Sequence, residues 1–254
     1  MNRRRALLLA LLGAQWAVAQ GGTLTVTATG HPGWPPYSWQ HEDTIVGVGA
    51  ELAQRILAEL GITVRFRPSG NWKRAQAEVQ AGNVDLLVAA YRTDERRRTL
   101  LFPATPFAAD DNVLWVAKGR EFAFDKWEDL VGKRGTAMLG ESYGQAFDTY
   151  IARHLQVERV STALQNLQKL ALGRADYYPF SLHGGQIQVN QLGFTGKIEH
   201  LPTVVSSEGV YLAISNKSAL APYLPRIEAV LARMRADGTL EQLMHKYVAL
   251  AAAQ

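Results

Sequence analysis

Apolar and polar positions alternate over residues 23–28, with Leu24, Val26 and Ala28 on one side and threonines on the other, a period of two that predicts a strand. From residue 47 to residue 60 the period changes. Val48, Leu52, Ile56, Leu57 and Leu60 recur at helical spacing, and Gly61 ends the run. Residues 62–66 predict a second strand. Asn71 is placed to cap a helix over 72–81, closed by Gly82 and Asn83. Residues 84–88 form a short apolar run that reads as a buried strand. This β-α-β-α-β succession is the pattern of a parallel α/β unit.

The second half repeats the theme less regularly. Residues 112–117 predict a strand turned by Lys118 and Gly119, and 127–130 a single helical turn. A strand over 133–138 runs into a glycine-flanked loop at 140–144 and a helix over 142–154. Ser161 is read as the cap of a helix reaching Leu172, ended by Gly173. A central strand over 176–180 stops at Ser181. A short strand at 197–201 and a strong one at 209–214 precede helical segments at 219–236 and 240–250, split by Asp237 and Gly238. Two α/β sets followed by a returning strand and helices predict two lobes, with a small-molecule cleft between them.

The first nineteen residues belong to a different class of signal. Asn2 to Arg5 form a positive region, residues 6–14 a short apolar one, and Ala17, Val18 and Ala19 a small-x-small cleavage site. The run is too short to span a membrane. Three of the 27 lysines and arginines lie in this leader, so the remainder carries 24 basic and 23 acidic residues. The basic balance comes from the leader and gives no argument for nucleic acid. The absence of cysteine leaves the core alone to hold an exported chain, and leaves no site for an acyl anchor at the cleavage point. An exported, unanchored protein of this kind is expected in a periplasm.

Candidate chemistry collects in three loops. After the buried strand come Ala89, Ala90, Tyr91, Arg92, Thr93, Asp94, Glu95 and Arg96. Strand carboxyl ends are where α/β sheets bind ligands, and two arginines there suit an anion; an exposed basic turn is the alternative. The loop at 30–39, with three prolines and two glycines, excludes helix and strand and offers Trp34, Tyr37 and Trp39 either as an aromatic wall or as a cap on the core. The loop Gly140-Glu141-Ser142-Tyr143-Gly144 precedes a helix and would offer backbone N–H groups to an anion. It lacks the Lys-Ser/Thr of a nucleotide phosphate loop and the Gly-x-Ser-x-Gly of a serine hydrolase. The histidines show no metal spacing and are expected at the surface or in loops.

An ordered set of motifs covers nearly the whole chain beyond the leader. It comprises the Pro-Pro-Tyr loop, Gly47-x-x-x-Glu51-Leu52-Ala53, Ala81-Gly82-Asn83-Val84-Asp85, Thr93-Asp94-Glu95-Arg96, Gly132-Lys133-Arg134, Gly173-Arg174-Ala175-Asp176 and Gly209-x-x-x-Ala213-Ile214. In this set the chain resembles the periplasmic solute-binding proteins of polar amino-acid ABC importers. The resemblance implies a type II Venus-flytrap fold, each lobe a mixed sheet flanked by helices. Lobe 1 would take residues 20–108 and 206–254, lobe 2 residues 109–205, with hinge crossings near 106–110 and 203–207.

The resemblance also implies a monomeric receptor that carries a small carboxylated solute to an inner-membrane ABC permease, without cofactor or metal. Arg96 would pair with the ligand carboxylate, for which guanidinium offers a bidentate fork. Tyr91 and Thr93 would add polar contacts, and Trp34, Tyr37 and Trp72 would wall the pocket. Glu141, Ser142 and Tyr143 would meet the carboxylate through backbone N–H groups. The family's ammonium-binding aspartate is replaced by Ser181, so Glu141, Asp110 or Glu208 takes that role, or the ligand is not an ordinary α-amino acid. Two further readings share the fold: a cleft enzyme of the cyclohexadienyl dehydratase type, and a ligand sensor for a signalling partner.

Overall fold

The computed structural model describes residues 23–253; the expected leader lies outside the described residues. The first alternating stretch forms β1 (Thr25–Thr29). The proline-rich loop does contain strands, contrary to expectation. β2 (Gly33–Trp34), β3 (Ser38–His41) and β4 (Thr44–Val46) make a small antiparallel ribbon. Strands of two to four residues leave no period to read.

α1 (Val48–Glu59), β5 (Thr63–Phe66), α2 (Trp72–Ala81) and β6 (Leu86–Tyr91) then form as expected. The Asn71 side chain accepts from the Arg74 N–H, and Gly82 closes α2 at φ 86°. α1 lies so close to the sheet that a Cβ on Gly49 would stand 2.0 Å from the Val88 carbonyl oxygen.

The chain continues through α3 (Asp94–Arg97), β7 (Leu100–Leu101), β8 (Ala108–Ala117), a 3-10 turn at Trp127–Leu130, β9 (Arg134–Met138), α4 (Gln145–His154), β10 (Gln156–Val160) and α5 (Ala163–Ala171). α4 starts three residues later than expected. Thr162, not Ser161, caps α5, because Thr162 and Gln165 form a reciprocal capping box that Ser161 is one residue too early to make. β11 (Tyr178–Ser181), α6 (Leu182–Gln191), β12 (Ile198–Ser215), α7 (Leu224–Ala236) and α8 (Thr239–Ala252) complete it. α6 was not expected. Its Gly184 and Gly185 weaken a helix on propensity but are needed by packing: a Cβ on Gly185 would lie 2.2 Å from the Trp115 ring.

The two expected strands at 197–201 and 209–214 are one 18-residue strand, β12. It continues through Pro202 because it stays paired to β8, with register shifts on either side of Val204. The large sheet runs β11-β8-β12-β6-β1-β5, with β7 also on β12. β1 is parallel to β5 and β6, and β12 is antiparallel to β6 and β8. In the second lobe β9 pairs parallel with β10, and Tyr177 bridges to Gly135 just before β11, so the 177–181 segment is interior there. β8 and β12 run together from Ala108↔Val210 to Asn112↔Ser206.

The largest buried cluster includes Leu52, Ile56 and Leu86 together with Trp115, Leu170 and Tyr178. A second cluster holds Val116, Phe147 and Tyr177. The carboxyl ends of β1, β6 and β9 lead into the three loops that meet at the cleft, as α/β sheets place their ligand edges.

Candidate functional site

β6 is buried from Leu86 to Tyr91. The Thr93 hydroxyl then caps α3 by accepting from the Arg96 N–H. That cap sets the turn which sends Arg96 inward, while Arg92, Asp94, Glu95, Arg97 and Arg98 stay exposed. Arg92 braces the loop, with its guanidinium 4.7 Å over the Tyr211 ring.

Arg96 is 5% exposed, and its guanidinium lies 5.4 Å from the centre of the Trp72 ring. Nε donates to Gln76 Oε1 at 2.9 Å, one Nη to the Tyr91 carbonyl at 2.9 Å, and the other to the Gly140 carbonyl at 3.2 Å. A guanidinium has five N–H donors, so two are left. Burial lowers its pKa, opposed by the charges of Glu141, Asp148 and Glu95. Among the described residues no carboxylate forms an ion pair with it.

Arg96 faces a narrow cavity between the lobes. Trp34, Trp72 and Tyr91 line it from the first lobe, and Glu141, Ser142, Tyr143 and Ser181 from the second. Asn112 and Phe180 complete the lining, and sequence reasoning missed both. The inner cavity measures about 10 Å³, room for one water. It is flanked by an outer opening of about 630 Å³, which Thr93, Lys73, Gln145 and Arg159 help to line. Tyr37 does not line either space. Its ring packs 4.9 Å from that of Trp34, and its hydroxyl points to Asp110. Contacts across the cleft hold the lobes together: Gln76 Nε2 to the Gly140 carbonyl at 3.0 Å and the Asp94 N–H to Gln145 Oε1 at 3.0 Å.

The glycine-flanked loop differs from its expected role. Asp148, in the first turn of α4, folds back to accept from the Ser142 hydroxyl and from the Tyr143 N–H at 2.9 Å. The Gly144 N–H goes to Ser142 Oγ, and the Glu141 N–H to the Met138 carbonyl. Most of the N–H groups expected to meet a carboxylate are therefore used within the loop. The loop instead presents the Glu141 side chain, 11% exposed.

His31 lies in a loop, as expected of the histidines, and is buried there at 1% exposure, with its ring 5.2 Å from that of Trp72. Nδ1 accepts from the Gly33 N–H at 2.9 Å, so the ring proton of the neutral imidazole is on Nε2. Nε2 lies 2.8 Å from Glu141 Oε1. The contact is short but poorly directed, and neither buried atom has a well-aligned hydrogen-bond partner.

The acid absent at Ser181 stands on the neighbouring strand. Asp110 of β8, 1% exposed, accepts from Ser181 Oγ at 2.7 Å and Tyr37 Oη at 3.1 Å on one oxygen, and from Tyr91 Oη at 2.5 Å on the other. Burial raises its pKa to about 6, against the pull of the three hydroxyls. Asn112 Nδ2 donates to Tyr91 Oη and to Ser206 Oγ, tying this group to β12. Glu208 is half-buried beside Gly144, its pKa raised by burial and then by Asp148, and it lines neither space.

Gln76 could have been found, since it lies one helical turn beyond Trp72 on the same face. Nothing local marked His31, whose partner lies across the cleft.

A probable amino-acid-binding protein of Bacillus subtilis strain 168, YxeM, is 25% identical over 233 residues, covering 88% of this chain and 83% of that protein. The crystal structure of AbpA from Streptococcus pneumoniae, an amino acid ABC transporter substrate-binding protein bound to L-arginine, superposes with a TM-score of 0.74 at 20% identity, covering 90% and 96% of the two chains. A histidine kinase sensor domain with similarity to periplasmic binding proteins gives 0.74 at 21% identity, covering 88% and 95%. Both superpositions show the two-lobed type II fold. Residues 26–249 match the family model as well, so the chain belongs to the bacterial extracellular solute-binding proteins, family 3.

Proposed function

We propose that this solute-binding protein is a periplasmic, monomeric transport receptor for a small carboxylated solute, which it delivers to an inner-membrane ABC permease without chemical turnover. The observation that carries this reading is Arg96: a buried guanidinium at a cavity between lobes, with two N–H groups free and no carboxylate paired to it among the described residues. A desolvated cation of this kind is costly until an anion meets it, and a planar fork suits a carboxylate. Trp34, Trp72 and Tyr91 supply the apolar wall. The naming of relatives as amino-acid-binding proteins supports the same class of ligand.

The lobes in this reading are residues 20–108 with 206–254, and 109–205. Release and capture work by a hinge at 106–110 and 203–207, a reading supported by the adjacent run in which β8 and β12 pair from Ala108↔Val210 to Val113↔Val204. Opening breaks the contacts of Gly140 with Gln76 and Arg96 and enlarges the inner cavity to ligand size. The test is a melting-shift screen with amino acids, 2-oxo acids and dicarboxylates. A ligand at ten times its Kd stabilises by about 1.4 kcal/mol. A shift with one carboxylated class and no product formed is the expected result. No shift with any class, or consumption of cyclohexadiene acids such as prephenate, removes the receptor reading.

A further inference from the structure

Three hydroxyls converge on the buried Asp110, and two of them belong to Tyr91 and Ser181, which line the inner cavity beside Arg96. Tyr91 joins the two charged groups: its carbonyl accepts from Arg96 and its hydroxyl donates to Asp110 Oδ2. While Asp110 is ionised, the hydrogens are all committed. Each hydroxyl has one hydrogen, and those of Tyr91 and Ser181 point at Asp110, so neither donates to an anion in the cavity. Asn112 Nδ2 donates to Tyr91 Oη and fixes that hydrogen where it is. The network can yield at one place. Tyr37 Oη stands 3.1 Å from both Asp110 Oδ1 and the Ala109 carbonyl, so it keeps an acceptor if Oδ1 becomes a donor. Ser181 Oγ, 2.7 Å from Oδ1, accepts from the Gly184 N–H and has a second lone pair for a new O–H.

Building on the carboxylate reading of Arg96, we infer that the solute binds together with one proton: Asp110 takes the proton on Oδ1 and donates to Ser181 Oγ, whose own hydrogen turns to the solute carboxylate. Asp110 is the positioning residue and does not touch the solute. The proton offsets the incoming negative charge, so no second uncompensated anion is buried behind the cavity. Asp110 is poised for this. Burial raises its pKa to about 6, against the pull of the Tyr91, Ser181 and Tyr37 hydroxyls and of His183 on α6. An anion in the adjoining cavity raises it further. The neighbouring titratable groups leave Asp110 as the proton's seat. Burial, and then Asp110 itself, push the Tyr37 and Tyr91 phenols up, so both stay protonated. Asp111, next on β8, is exposed and accepts from Ser207 Oγ. Glu208, opposite Asp110 in register, turns to Gly144. Arg96 and Glu141 line the cavity itself, with His31 beside Glu141 and held neutral by the Gly33 N–H on its Nδ1.

The test is calorimetric titration at pH 5, 6.5 and 8 with L-arginine, L-glutamine and pyruvate, and then with the other carboxylates of the melting screen. The carboxylates of the three named probes stay ionised over this range. A rise of about one unit in the Asp110 pKa on binding makes a probe bind about tenfold more tightly at pH 5 than at pH 8. It also draws in about half a proton per probe at pH 6.5, read from the change in heat between buffers of different ionisation enthalpy. Asp110→Asn, whose amide donates to Ser181 Oγ at every pH, should bind as tightly at pH 8 as the wild type does at pH 5 and take up no proton. Ser181→Ala removes the released hydrogen and should cut the ratio between pH 5 and pH 8 to below about threefold. The wild-type proton count decides the matter even if neither variant folds. Equal wild-type affinity at pH 5 and pH 8, proton release on binding, uptake that survives in Asp110→Asn, or a full ratio in Ser181→Ala overturns the inference and leaves the carboxylate reading in place. Failure of every carboxylate to bind at all three pH values removes both.

Discussion

Arg96 and Asp110 carry opposite charges into one buried region, Arg96 from α3 and Asp110 from β8. Their surroundings differ in what is left over. Asp110 has a hydroxyl donor on each oxygen and a second on one of them, and it lines neither the inner cavity nor the outer opening. Arg96 has neutral acceptors for three donors and two donors to spare, and it does face one. A buried polar group whose partners are complete fixes structure; one whose partners are incomplete waits for a ligand.

The strongest way to break this comparison is Arg96→Ala. It should cost about 2–5 kcal/mol of ligand binding by calorimetry, and Arg96→Lys should lose most of the affinity as well because the fork is gone. Unchanged affinity in either would place the ligand elsewhere. Asp110→Asn sharpens the other side. With its pKa raised from 3.8 to about 6, Asp110 binds its proton more tightly folded than unfolded. Its stabilising contribution is therefore complete below pH 3.8 and is lost as the pH rises through 6, a change of about 3 kcal/mol. Urea melts of wild type and Asp110→Asn should thus diverge between pH 4 and pH 7.5, the variant gaining on the wild type as pH rises. Parallel pH profiles would contradict the buried, strained carboxylate.

Tyr37→Phe removes one donor from Asp110 and should cost about 1–2 kcal/mol in the same melts. It should also raise the pH at which the Asp110 contribution disappears. Arg97→Ala is the smallest test. Arg97 is exposed next to Arg96, and its loss should move neither melting nor affinity by more than about 0.5 kcal/mol; a large loss would mean that the wrong arginine has been assigned.

How much of this was readable in advance follows from the range of the interactions. Arg96 was legible because a buried apolar run and a capping threonine, both within ten residues, fix where it points. The α2 caps were legible for the same reason. Asp110 was visible only as one of three candidate acids. The pair Asp110-Asp111 has one side chain buried and one exposed, and only the start of β8 at Ala108 decides which. The burial of His31 is not legible locally, because it depends on Glu141, 110 positions away. α6 is not legible because Gly184 and Gly185 argue against a helix unless Trp115 lies against them. The N–H groups of the 140–144 loop look free in the sequence because Asp148, which reaches back from α4 to occupy one of them, reads there as an ordinary helix acid.

The aromatic wall gives the protein its own optical probe. Of the six tryptophans in the sequence, Trp34 and Trp72 line the cavity, and Trp72 already lies over the Arg96 guanidinium. On the proposed function, an anion arriving at Arg96 would alter the charge above one indole, and a parting of the lobes would wet both. The intrinsic ultraviolet emission of the unlabelled protein should therefore distinguish the empty open, empty closed and filled states, and its time course should give the closing rate directly.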